Sequence, residues 1–126
     1  MLRLSKNISL VVIFFVLFIP TVSAQEETVL VTASGFGGTR DKALEQAGYH
    51  ALVRLAEKHF ASQKEFAAQN EKIREFLQEN VNNFIEDLTD AKIINKFRRN
   101  KLTARIPVRE TELINALKEN FPDLAP

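Results

Sequence analysis

The chain has 126 residues, with 17 Lys and Arg against 16 Asp and Glu, ten phenylalanines, no tryptophan and no cysteine. Absence of cysteine excludes a disulfide scaffold and any thiol-based metal or redox centre, so packing alone must hold the fold. A formal net charge of +1 excludes a general attraction to nucleic acid or to anionic membrane.

In chain order, Met1 to Asn7 carry Arg3 and Lys6 and no acid, Ile8 to Pro20 are almost wholly apolar, and Val22-Ser23-Ala24 precedes Gln25. These are the basic, apolar and small-residue regions of a secretory signal peptide, with cleavage expected after Ala24. The apolar run is shorter than the roughly 20 residues a membrane-spanning helix needs, so no stable membrane anchor is expected after cleavage. The expected organisation is a signal peptide over residues 1–24 and a single α+β domain over residues 25–126. Losing the leader removes two basic residues and no acid, leaving 15 against 16. Small secreted eukaryotic domains lean on disulfides, so a cysteine-free exported domain favours a bacterial envelope, with the periplasm the expected compartment and secretion the alternative.

Thr28-Val29-Leu30-Val31-Thr32-Ala33 is rich in β-branched residues and predicts a strand, ended by a glycine-rich turn over Ser34-Gly35-Phe36-Gly37-Gly38 whose glycines are expected to accept positive φ. Thr39 is a candidate N-cap for a helix running to about Phe60, with Leu44, Ala47, Gly48, Ala51, Leu52 and Leu55 on one side. Small residues at Ala43, Ala47 and Ala51 would let it lie close against a sheet. A second helix is predicted from about Phe66 to about Phe84, with Ile73, Phe76, Leu77, Asn80, Val81, Phe84 and Ile85 at three-and-four spacing. Residues 82–91 read equally as a helix end or an early strand.

The period then changes. Residues 91–97 and 102–108 flank Arg98-Arg99-Asn100-Lys101, which predicts a β-hairpin with a basic tip. Pro107 lacks a backbone donor and is expected at a sheet edge or at the strand's exit. Thr111 is a candidate cap for a last helix through Leu113, Ile114 and Leu117 to Asn120, ended by Pro122. The expected order is βααββα, a mainly antiparallel sheet with its helices packed on one face.

Nothing in the sequence assembles a catalytic set. Gly35 to Gly38, between a strand and a helix, resembles a phosphate-cradling loop, but Arg40 stands where a dinucleotide fingerprint needs glycine and no Walker lysine follows. A small anion site on Gly37, Gly38 and Arg40 is the alternative to a plain turn, with Tyr49 and His50 able to line a neighbouring groove. His50 and His59, the only histidines, fall two and a half turns apart on one helix and cannot share a metal there. Glu86, Asp87 and Asp90 lack the spacing of a calcium loop, and the serines and threonines have no base at a diagnostic distance. No catalytic residue, cofactor or metal is expected.

Arg98, Arg99, Lys101 and Arg105 concentrate positive charge at the hairpin beside Phe97, which suits either an acidic partner or a solvated tip that protects a sheet edge. The segments Val29 to Gly37, Asp41 to Ala47 and Ala51-Leu52, with Ile93-Ile94, Thr103 to Val108 and Leu113 to Leu117, resemble the N-terminal domain of flagellar assembly protein T and small envelope lipoproteins of the same fold group. The resemblance implies a non-catalytic domain that packs against other envelope proteins. One such domain is expected here, and the chain has no cysteine to bear a lipid. The expected function is an exported interaction or assembly module of the bacterial envelope, with envelope proteins as partners and no nucleic acid; a small-ligand or anion binder using the Gly35-Gly38 loop is the alternative.

Overall fold

A computed structural model describes residues 28–124; the expected signal peptide lies outside the described residues. The chain is an α+β protein built on a three-stranded antiparallel sheet in the order β1-β3-β2, where β1 is Val29–Phe36, β2 Lys92–Arg98 and β3 Lys101–Val108. Alternation decides the faces: Leu102, Ala104, Ile106 and Val108 of β3 are fully buried, while Lys101 and Arg105, at alternate positions, are exposed. The buried face meets α1 (Arg40–Phe60), and the helices gather on that one side of the sheet as expected.

α1 is the keel of the molecule. Its predicted apolar stripe, Leu44, Ala47, Gly48, Ala51, Leu52 and Leu55, is buried throughout, and Thr39 caps it as expected, its Oγ1 accepting the Lys42 N–H at 3.2 Å. Ala43, Ala47 and Ala51 have no exposed surface, because the helix backbone lies directly on β1. That contact corrects the expected glycine turn. The strand continues through Ser34-Gly35-Phe36, and no described glycine has positive φ. Gly35 is in the strand because a Cβ there would sit 2.0 Å from the Ala43 carbonyl oxygen, so the glycine serves close approach rather than backbone freedom.

The predicted second helix is three: α2 (Lys64–Ala68), α3 (Asn70–Glu79) and α4 (Val81–Phe84). At the second break the Asn80 side chain donates to the Phe76 carbonyl at 2.8 Å, the acceptor its own N–H would use in a continuous helix, and that N–H turns to Leu77 O at 3.2 Å. The breaks let Phe66, Ile73, Leu77 and Phe84 all reach the core as the chain wraps around α1. Residues 82–91 resolve into the end of α4, a single bridge from Ile85 to Val108, and a 3₁₀ turn at Leu88–Asp90.

The last helix, α5 (Glu110–Asn120), buries Leu113 and Leu117 as expected, but Thr111 is inside its first turn and Arg109 is the N-cap. The Arg109 N–H is anchored to Phe84 O at 2.8 Å, and its own carbonyl accepts from Leu113 N, so the helix begins earlier than Thr111 would set it. Pro107 is buried near the exit of β3, which is the central strand, so it is not on a free edge. Its missing donor is tolerated because the ladder to β2 ends at Arg105 and the Ile85 bridge begins only at Val108.

Candidate functional site

The sheet face turned away from α1 is where the predicted basic residues converge. Three cross-strand rows follow from the register: Phe36, Lys101 and Arg98; Ser34, Thr103 and Asn95; Thr32, Arg105 and Lys92. The first row carries a cation–π contact, Lys101 Nζ lying 5.7 Å from the Phe36 ring centroid. The second is tied by a 2.7 Å hydrogen bond between the Ser34 and Thr103 hydroxyls. The third sets Arg105 against Lys92, two like charges that face each other across the strands.

The hairpin closes on Arg99 and Asn100, with φ of 55° and 65°, the left-handed pair of a two-residue type I′ turn. Asparagine tolerates that region; arginine pays about 1 kcal/mol for it. A cation is therefore held at the tip at a position where glycine or asparagine would be easier. The Asn100 carbonyl accepts the Gly37 N–H at 3.0 Å, which ties the tip to the loop between β1 and α1. A shallow concavity of about 800 Å³ runs along this end of the sheet, lined by Phe36, Ile94, Lys96, Phe97, Arg98, Arg99 and Lys101 among others. Phe36 is 54% and Ile94 44% exposed, so the surface offers apolar contact as well as charge.

Of the four predicted basic residues, Arg98, Lys101 and Arg105 share the open face and Arg99 stands in the turn. Lys92, Lys96 and Phe36 complete the site and were not singled out from sequence. Lys92 and Lys96 are legible in the absence of any acid in residues 91–108; Phe36 is not, because the glycines on both sides of it predict a turn. Gly37, Gly38 and Arg40, the alternative anion site, lie in the loop after β1 and at the first residue of α1. The Gly37 N–H is engaged by Asn100, and Arg40 pairs with Asp41 at 3.9 Å on the exposed start of α1. Tyr49 lines a groove with Gly37, Lys42, Glu45 and Glu79, while His50 lines a different one.

Both histidines are in polar contacts. His50 Nδ1 lies 2.7 Å from the Ser34 carbonyl oxygen and must be the donor, since the carbonyl can only accept. His59 Nε2 meets Glu110 Oε2 at 2.8 Å, bridging α1 to α5. Asp87 accepts the Thr89 N–H at 2.9 Å and so caps the 3₁₀ turn. Among the described residues no group of three or more His, Asp or Glu side chains could hold a metal ion, and no helix is long and apolar enough to cross a membrane. Compared with protein-family models, curated proteins and solved structures, the chain matches none.

Proposed function

We propose that this protein is a non-catalytic interaction module of the bacterial envelope, exported by its leader, that captures an acidic partner protein on the open face of its sheet and the hairpin tip. The observation that carries this reading is the charge of the sheet layer: residues 28–38 and 91–108 hold Lys92, Lys96, Arg98, Arg99, Lys101 and Arg105 and not one acid. Six like charges on β2, β3 and the turn between them repel one another, and an opposite surface relieves that repulsion while steering approach. Exposed Phe36 and Ile94 supply the apolar contact that charge alone lacks. The left-handed Arg99 supports the same reading, since backbone strain kept at an exposed tip suits a recognition role. The resemblance to the flagellar assembly protein T domain points to the same class of partner.

The test is the triple variant Arg98→Glu, Arg99→Glu, Lys101→Glu, which takes the sheet layer from six positive charges to a balance of zero. Affinity capture from the native envelope fraction, followed by mass spectrometry, should lose its co-eluting proteins with the variant and weaken for the wild type between low and moderate salt. Circular dichroism should show the variant folded. An unchanged capture yield with the variant removes the tip from the function.

A further inference from the structure

The free edge of β1 is sealed along half its length and open along the other half, and α1 makes the difference. In an antiparallel ladder the N–H and C=O of one residue point the same way and those of its neighbours the opposite way. The Phe36 N–H is taken by Gln46 Oε1 and the Ser34 carbonyl by His50 Nδ1, both from α1, so the even-numbered residues of β1 face away from β3. Continuing down the strand, the backbone groups of Thr32 and Leu30 point to the same side. Down the helix, steps of four from Gln46 and His50 lead to Arg54 and Lys58. Four helical residues advance about 6 Å and two strand residues about 6.7 Å, so the helix stripe keeps pace with the strand edge. At its first two positions the stripe ends a backbone group. At the next two it presents an exposed cation with no ion pair among the described residues.

Between them lies a groove of about 440 Å³ lined by Leu30, Thr32, Arg54, Leu55 and Lys58, with Glu110. The Glu110 carboxylate is engaged by His59, which leaves Arg54 and Lys58 as the charges that are not partnered. Leu30, 63% exposed, is the most exposed large apolar side chain of the described residues. The opposite edge of the sheet is different: β2 shifts register twice against β3 and carries Lys92 and Lys96, irregularity that discourages a further strand.

We infer that the Leu30–Thr32 edge of β1 accepts an extended acidic segment of a partner protein, added as a fourth strand. The backbone groups of Leu30 and Thr32 would pair with it, and two carboxylates placed two residues apart would meet Arg54 and Lys58. The site is the backbone edge of β1 with the α1 stripe beside it, not the cations of the open sheet face, and the inference stands or falls independently of the proposed function.

The test uses a short synthetic peptide alternating glutamate with threonine, titrated into the protein, with amide hydrogen exchange read by NMR. The peptide should slow exchange at the Leu30 and Thr32 amides, and a counterpart with lysine for glutamate should not. Arg54→Glu with Lys58→Glu, both on the exposed side of α1, should raise the peptide concentration needed to protect the Leu30 and Thr32 amides at least about tenfold. Three results overturn the inference: no binding; binding with the Leu30 and Thr32 amides unprotected; or protection already present without peptide, which would mean that a second copy or the chain itself covers the edge.

Discussion

A methyl group on Gly35 would meet the Ala43 carbonyl oxygen at 2.0 Å and the Ala47 amide nitrogen at 2.4 Å, both backbone atoms of α1 that cannot step aside. Gly35→Ala is expected to cost at least about 3 kcal/mol, because strand and helix must separate to admit it. Gly38→Ala, with open space at the same position of the side chain, should stay within about 0.5 kcal/mol. Urea denaturation of the two variants side by side checks the contrast. Asp87 gives a pH signature of its own. The Thr89 backbone N–H, and then its hydroxyl, hold the carboxyl below its ordinary pKa of 3.8, against a small opposing effect of desolvation. The folded state thus binds that proton more weakly than the unfolded chain. The stabilisation is complete above the unfolded value and is lost as pH falls through the lower folded one. Melting temperatures of Asp87→Ala and wild type should therefore differ most near neutral pH and converge below about pH 4; a gap that persists in acid would separate the cap from the carboxylate's charge.

At the scale of elements, α1 does two jobs with two stripes. One stripe, small residues and leucines, lies on the sheet and fixes the core; the other, Gln46, His50, Arg54 and Lys58, runs along the edge of β1 and determines which part of it is closed. Both depend on where the helix starts. Thr39 sets that start through its bond to the Lys42 N–H, and Thr39→Ala should cost about 1 kcal/mol while Thr39→Ser or Thr39→Gly costs only a few tenths. Thermal melts of the three variants rank them. The hairpin works the other way, spending backbone strain at Arg99 to present a cation, whereas a tip chosen for stability alone would place asparagine or glycine there.

Across the whole molecule, charge is sorted by layer. The strands and their turn hold six cations and no acid, and the remaining described residues, 39–90 and 109–124, hold nine cations against 14 acids. A chain that is nearly neutral in sum is therefore strongly dipolar in space, with its positive pole on the open sheet face. The charge-reversal experiment belongs to this scale, since it cancels the positive pole without touching the core, and so does its dependence on salt, because separated surface charges act through a screened field.

Much of this fold was legible in the residues themselves. The strand at Val29, the capped helix from Thr39 to Phe60, the basic hairpin and the final helix all follow from local periodicity, capping and turn chemistry, and those are properties of neighbours along the chain. Four of the six cations of the site were legible for the same reason, as a cluster within eight residues. What the tertiary structure decided concerns residues far apart in sequence. The glycine at position 35 answers to Ala43 and Ala47 across the helix–strand contact. The break at Asn80 serves a chain that wraps around α1, and the central place of β3, with Pro107 buried in it, depends on which strands flank it. The joining of Phe36 to the basic site, and the halving of the β1 edge by Gln46 and His50, arise only once register and helix placement are set, because no local pattern in the sequence encodes which backbone groups another element will reach.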